Sequence, residues 1–293
     1  MKPAPLVGRN AQTQDLSSAL PTTQVRVGNA AIGGQALFIA GGPCAVENAA
    51  QLEAIAQSLG PHGGSQIQAL RGGIYKPRTS PYDFQGVGQD GLALIREASQ
   101  RHQLPFVTEV MAVDQIESLS AHADMLQVGS RNMQNFDLLK ALGKVDKPVL
   151  LKRGLAATIE EFVMAAEYIA SHGNPHIVLC ERGIRSFDSY TRNVLDIGAV
   201  VALKQLTHLP VIVDPSHAAG RRELVASLSR AAIAAGADGL IIECHPNPDQ
   251  AISDAQQTLS LEAMAELVES LKPIAQAVGR EVSAKPERVL VAA

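Results

Sequence analysis

The chain has 293 residues, a length that suits one β/α barrel of about 250 residues with tails. Aromatic residues make up only 3%, tryptophan is absent and the formal charge is −4, so neither base-stacking platforms nor a basic field for nucleic acid is on offer. Cysteines 44, 180 and 244 are odd in number and never paired as C-x-x-C, and no signal-peptide stretch or run of eighteen apolar residues occurs, so a cytoplasmic protein with no membrane partner is expected.

Residues 1–36 read as an N-terminal arm and hairpin: a polar, proline-containing start, then VRVGNAAIGGQALFIA, a glycine turn with no GK[ST] of a phosphate loop behind it. From there β-branched runs recur at 37–44, 67–73, 105–110, 124–130, 148–154, 176–183, 210–217 and 239–245. Between and after them lie LEAIAQSL, LALIREAS, QIESLSA, FDLLKAL, IEEFVMAAEYIA, NVLDIGAVVALKQL, LVASLSRAAIAA and LEAMAELVESLKPIAQAV, all with helical apolar spacing. Unbroken alternation of strand and helix predicts an α/β fold, a single (β/α)8 TIM barrel over 37–279, followed by a C-terminal tail at 280–293. Neither flank is long enough for an independent core, so feedback control through a domain of the chain's own is not expected.

In such a barrel the C-terminal ends of all eight strands meet at one mouth. Cys44, Arg71, Glu109, Arg131, Lys152, Arg182, His217 and Glu243 occupy those ends in order. The long loop RGGIYKPRTSPYDFQGVG adds Lys76 and Arg78 to Arg71, and Arg153 adjoins Lys152. An acidic chain that gathers its guanidinium groups at one face is built to bind polyanions there. The cations outnumber the needs of one phosphate, which implies two anionic substrates or one with two anionic ends.

A second group is Cys44, His217, Glu243 and Asp254, brought together because strands 7, 8 and 1 are neighbours in a closed barrel. Mixed S, N and O donors suit a borderline transition metal over Mg²⁺ or Ca²⁺. Taken singly, each residue reads equally well as a buried thiol or a structural polar group. Cys180 and Cys244 read as core residues, Cys244 because it adjoins Glu243 and must face the other side of its strand. Asp214 and His245 read either as supports behind the ligands or as ordinary hydrogen-bonded strand-end groups.

Through GGPCAVEN, RGGIYKPRTSPYDFQG, GSRNMQNFDLL, LLKRGLAATIEEF, LCERGIRSFDSYTRN, THLPVIVDPSHAAGRR and AISDAQQTL, in this order over about 38–259, the sequence resembles the 3-deoxy-D-arabino-heptulosonate 7-phosphate (DAHP) synthases, in particular their compact type I β subgroup. One departure is Cys244, where a β-branched aliphatic is expected; the liganding set is unaffected. The resemblance implies a transferase that condenses phosphoenolpyruvate with erythrose 4-phosphate, the first step of the shikimate pathway to chorismate and the aromatic amino acids. It implies a divalent metal on Cys44, His217, Glu243 and Asp254, Mn²⁺ foremost, with Fe²⁺, Co²⁺ and Zn²⁺ able to use the same set. Arg71 and Lys152 would hold the carboxylate of phosphoenolpyruvate and Arg131 and Arg182 its phosphate. Lys76 would lie between the substrates, with Pro77, Arg78 and Thr79 lining the erythrose 4-phosphate side. The implied assembly is a homotetramer or homodimer.

Lys76, set among arginines, is expected to have a lowered pKa and to act as general acid to the forming hydroxyl. Glu109 and His217 are the two candidates for activating the attacking water. Two alternatives stand beside this reading. One is 3-deoxy-D-manno-octulosonate 8-phosphate synthase, whose loop typically reads K-A-N-R-[ST]-S where this chain has Lys76-Pro77-Arg78-Thr79-Ser80. The other is a catalytically silent, metabolite-binding barrel.

Overall fold

The computed structural model describes residues 5–9, 22–61, 63–64 and 67–282. A short antiparallel hairpin, β1 (Val25–Val27) and β2 (Ala30–Ile32), turns at Gly28-Asn29 and precedes the barrel. Eight parallel strands follow: β3 (Phe38–Gly42), β4 (Ala69–Arg71), β5 (Phe106–Val110), β6 (Met125–Val128), β7 (Val149–Lys152), β8 (Ile177–Glu181), β9 (Val211–Val213) and β10 (Gly239–Glu243). They close in sequence order, β10 pairing with both β9 and β3. The barrel is therefore a (β/α)8 TIM barrel with an N-terminal hairpin, each strand lying inside its predicted run and shorter than it.

Outside the strands lie α1 (Ala49–Leu59), α2 (Gln89–His102), α3 (Ile116–Ser120), α4 (Phe136–Leu142), α5 (Ile159–Ala170), α6 (Ile197–Leu206), α7 (Pro215–Ala219), α8 (Arg222–Ala234) and α9 (Leu261–Ala277). Their starts are chemically marked. Thr158 and Glu161 form a reciprocal capping box on α5, and Asn48, Asn135, Asp196 and Ser260 cap α1, α4, α6 and α9. Among the described residues, no helix is long and apolar enough to cross a membrane.

Two differences from the sequence reading have local causes. The strand expected over 210–217 ends at Val213, because Asp214-Pro215 caps and opens α7, which puts His217 in a helix. The helix expected from residue 193 begins only at Ile197, since Val194 is engaged in a bridge to Ile184 and Asp196 is the cap. Most of the arm expected at the start, and the tail beyond 282, lies outside the described residues. Of the described part, the backbone N–H groups of Leu6 and Val7 donate to Glu167 on α5, and Leu37 N–H donates to Glu281 O.

Strand periodicity sorts the core into two layers. Phe38, Ala40, Ala69, Val107, Met125, Leu150, Val178, Cys180, Ile212 and Ile241 fill the barrel interior, and Val25, Val27 and Ile32 of the hairpin pack onto them. The alternate residues, such as Val149, Leu151, Ile177, Leu179, Leu240 and Ile242, pack outward on the helices. Extending the inward parity by one step reaches Arg71, Glu109, Gln127, Lys152, Arg182 and Glu243. The outward parity reaches Glu181, Arg153 and Cys244, which is buried among helix-facing residues as expected.

Arg153 is thus corrected: it does not join the cations of the mouth. Its guanidinium donates to Glu181 at 2.9 Å and Asp196 at 3.0 Å. Because Glu181 is fully buried, removing its partner strands a charge. Arg153→Ala should cost roughly 3 kcal/mol of stability while leaving anion affinity at the mouth unchanged; a combined melt and ligand titration checks both.

Candidate active site

The inward-facing strand ends open into a cavity of about 390 Å³. Its wall carries Arg71, Lys76, Arg78, Arg131, Lys152 and Arg182, all expected from the sequence, together with Pro77 and Thr79. Arg185 and Arg192 also line it, against only Asp83, Glu109 and Asp254 as acids. A low-dielectric cleft with such an excess of cations concentrates small polyanions. A larger groove on α3 and α4, bordered by Val113, Ile116 and Lys140, contains none of these groups and is remote from this chemistry.

Several of the cations are buried and held by specific partners. Arg71 donates from Nη1 to Glu243 and to Pro43 O, both at 2.9 Å, while its Nε is buried without a hydrogen-bond partner among the described residues. Lys152 pairs with Asp214. Arg182 donates to His217 O at 3.2 Å, whereas Arg131, in the turn after β6, is exposed on the cavity wall. Glu109 accepts from Gln127 at 3.2 Å, and Gly129 makes room for it: a Cβ there would stand 2.1 Å from Glu109 Oε1.

At one side of the cavity Cys44, His217, Glu243 and Asp254 each present a ligand atom, and all four atoms lie within 4.8 Å of one another. Different local devices deliver them. The register Glu243↔Gly42 places Glu243 beside the turn that carries Cys44. Asp254 returns because the bridge Cys244↔Leu259 closes its loop, and its left-handed backbone (φ 56°) is one that aspartate tolerates. His217 is aimed by Asp214, which accepts both its backbone N–H at 2.9 Å and its ring Nδ1 at 2.7 Å. That leaves Nε2 3.3 Å from Glu243 Oε1 and 3.8 Å from Asp254 Oδ2.

The electrostatics follow from this packing. Burial pushes the Cys44 thiol up to about 12, and the Glu243 charge adds to it. Burial also opposes ionisation of Asp214, but His217 and Lys152 overcome it and hold the carboxyl well below the usual range. Asp254 and Glu243 are likewise lowered against burial, chiefly by His217. The expectation of a lowered pKa for Lys76 is overturned. Its Nζ lies 2.9 Å from Cys44 Sγ and 3.0 Å from Cys44 O, and although burial disfavours its charge, the sulfur and the Glu109 carboxylate outweigh burial and raise it.

Of the two groups read as possible supports, Asp214 touches the cluster and His245 does not; the partners of His245 are Glu47 and the Asn247 N–H. Arg185, Arg192, Gln127 and Gln257 were not singled out from sequence. The two arginines sit in the loop of the RGIRSFDSYTRN motif, beyond any strand end, and the glutamines carry no charge pattern to mark them.

Asp214 sets the histidine tautomer by accepting from Nδ1, which keeps the Nε2 lone pair free. Asp214→Asn can donate to Nδ1 instead and place the proton on Nε2. Divalent-ion affinity should then fall about 10–100-fold, measured by direct ion titration of the metal-free protein.

Residues 14–278 match the DAHP synthetase I family. A phospho-2-dehydro-3-deoxyheptonate aldolase of Thermotoga maritima is 48% identical over 283 residues, 97% of this chain and 81% of the relative. A 2-dehydro-3-deoxyphosphooctonate aldolase of Syntrophotalea carbinolica is more distant, 32% identical over 274 residues, 87% of this chain and 96% of that one. A crystal structure of the Thermotoga maritima DAHP synthase superposes with a TM-score of 0.89 at 47% identity, covering 97% of this chain and 80% of that one. A truncated form of the 3-deoxy-D-arabino-heptulosonate 7-phosphate synthase from the same organism gives 0.85 at 46%, covering 95% and 98%. Sequence and fold agree over nearly the whole chain, which belongs to the DAHP synthetase I family.

Proposed function

We propose that the protein is a DAHP synthase, joining phosphoenolpyruvate and erythrose 4-phosphate with release of inorganic phosphate. The observation that carries the reading is one cavity in which a cationic wall meets a Cys-His-Glu-Asp cluster, in a chain 48% identical to a phospho-2-dehydro-3-deoxyheptonate aldolase. The donor set fits a divalent transition ion, since a thiol, an imidazole and two carboxylates present ligand atoms within 4.8 Å of one another, a mixed S, N and O set. When bound by Cys44, His217, Glu243 and Asp254, such an ion, Mn²⁺ foremost, supplies Lewis-acid polarisation of an aldehyde oxygen.

The protein's own groups do the rest. Both substrates are anions, and the cavity cations offset their repulsion and fix their approach. Arg71 and Lys152 take the carboxylate of phosphoenolpyruvate, and Arg131 and Arg182 take its phosphate. Pro77, Arg78 and Thr79 take the erythrose 4-phosphate side. The methylene carbon of phosphoenolpyruvate bonds to the aldehyde carbon, and Lys76, kept protonated by its surroundings, gives its proton to the forming hydroxyl. Water adds to the neighbouring carbon, with Glu109 taking its proton, and phosphate leaves from the hemiketal-like intermediate. His217, whose Nε2 faces the cluster, is assigned to the metal in preference to the water. A cytoplasmic location and a dimeric or tetrameric assembly belong to the same reading.

Purified protein with Mn²⁺, phosphoenolpyruvate and erythrose 4-phosphate should release phosphate and DAHP; no turnover would favour a silent barrel. The short Lys76-Pro77-Arg78 spacing draws the sugar phosphate close, and strain of about 3 kcal/mol on a longer aldose is more than a hundredfold in rate. Arabinose 5-phosphate should accordingly show kcat/KM at least a hundredfold lower, and equal values would point to the octulosonate chemistry.

Arg131 and Arg78 test the two anion subsites separately. Arg131→Ala should raise the KM for phosphoenolpyruvate about tenfold, because a hydrogen bond to a charged group contributes about 1.5–3 kcal/mol, and should spare erythrose 4-phosphate. Arg78→Ala should do the reverse. Steady-state kinetics with each substrate varied in turn would expose a swapped assignment.

A further inference from the structure

Two arginines of the cavity wall, Arg185 and Arg192, have no part in the chemistry proposed so far. The Nη1 of Arg192 donates to Asp254 Oδ1 and to Gln257 Oε1, each at 3.2 Å. Gln257 is almost fully buried, and its Nε2 donates to Glu243 Oε2 at 2.6 Å. This amide has only one orientation that satisfies both neighbours, since an arginine cannot accept and a carboxylate cannot donate.

The oxygens engaged in this way are the ones turned from the cluster centre. The other oxygen of each carboxylate faces inward: Asp254 Oδ2 is 3.0 Å from Cys44 Sγ, and Glu243 Oε1 is 3.3 Å from His217 Nε2. A carboxylate pinned by one oxygen presents the other at a fixed place, which is what a metal site requires of its surroundings.

The backbone of Arg192 is tied to the same site. Its N–H donates to Ala219 O at 3.0 Å and the next residue, Asn193, donates to Ala218 O at 2.9 Å, so both are laced to α7, the helix that carries His217. Gly220 follows with φ +67°, and a Cβ there would lie 2.5 Å from Arg192 Cβ, so this close approach needs glycine. Arg192 therefore contacts structure belonging to three of the four ligands.

We propose that Arg192 is a positioning residue for the metal site, holding Asp254 directly and Glu243 through Gln257 so that their inner oxygens stay poised for the ion. The proposal rests on the assignment of Cys44, His217, Glu243 and Asp254 as ligands. It predicts that losing the clamp weakens ion binding without loss of the fold, because the side chain of Arg192 is 40% exposed and stands at the rim of the site.

The test is titration of metal-free protein with Mn²⁺, and with Co²⁺ followed through its thiolate absorption, for the wild type, Arg192→Gln, Gln257→Leu and the double variant. Thermal melts of the metal-free forms report folding. Arg192→Gln should raise the dissociation constant about 10–100-fold with an unchanged melt. Gln257→Leu should raise it as much and also lower the melt, because it strips a donor from buried Glu243. The double variant should fall short of the product of the two, since part of the hold runs through one chain of contacts. An unchanged constant in Arg192→Gln overturns the proposal. So does a raised substrate KM at saturating metal with normal ion affinity, which would make Arg192 a substrate contact, and so does full multiplicativity in the double variant. A wild type that binds no ion at all would instead remove the ligand assignment, and the proposal with it.

Discussion

A continuous chain of ion pairs and hydrogen bonds crosses the open end of the barrel, and the architecture of the mouth depends on it. It runs from Arg71 to Glu243, from Glu243 to His217, from His217 to Asp214 and from Asp214 to Lys152. Apart from His217, each side chain is at least nine-tenths buried. A charge in that setting carries a desolvation penalty of several kcal/mol, and it is met here by pairing Glu243 with Arg71 and Asp214 with Lys152, with the His217 ring set between the two carboxylates. Buried ion pairs are often no more stabilising than an apolar repacking of the same volume, so what this network contributes is the placement of its members. It links β4, β10, α7 and β7 into one rigid rim.

The same network explains why the cavity has two faces of different character. Where carboxylates are satisfied by neighbouring cations, as at Asp214, they present little free negative charge to a substrate. The remaining guanidinium and ammonium groups then dominate the field. Beside them the cluster of Cys44, His217, Glu243 and Asp254 is the one patch where inward-facing donors converge among the described residues. Beside this patch Lys76 stands against Cys44, and its pKa is raised where a lowered one was expected. Proximity to other cations was visible in the sequence, but the sulfur and carboxylates that outweigh them come from the turn after β3, from β5 and from β10, and become neighbours only on folding.

Much of the architecture could be read from the chain, because a closed barrel ties sequence order to spatial order. Once eight strand-helix alternations are recognised, strand ends far apart in sequence must share a mouth, and Arg71, Glu109, Lys152 and Glu243 follow. What the pattern could not fix was parity at the strand's last residue: Lys152 and Arg153 are adjacent cations, and only the true end of β7 sends one inward and the other to Glu181. The helix carrying His217 was signalled by Asp214-Pro215, a cap and first-turn pair hidden in a run that reads as strand. Arg192 and Gln257 lie in irregular loops, where no periodicity exists to say which way a side chain points. Strand adjacency suggested the ligand set and motif resemblance reinforced it, but the contacts that hold the ligands form only on folding.

The central claim is that one cavity holds a metal-binding cluster and a phosphoenolpyruvate subsite side by side, with separate groups for each. Diffraction from crystals soaked with Mn²⁺ and phosphoenolpyruvate, collected at a wavelength where manganese scatters anomalously, tests it most directly. The account predicts a single anomalous peak among Cys44, His217, Glu243 and Asp254, with the phosphate of phosphoenolpyruvate on Arg131 and Arg182 and its carboxylate toward Arg71 and Lys152. A peak elsewhere, or a phosphate lodged on Arg78, would contradict it.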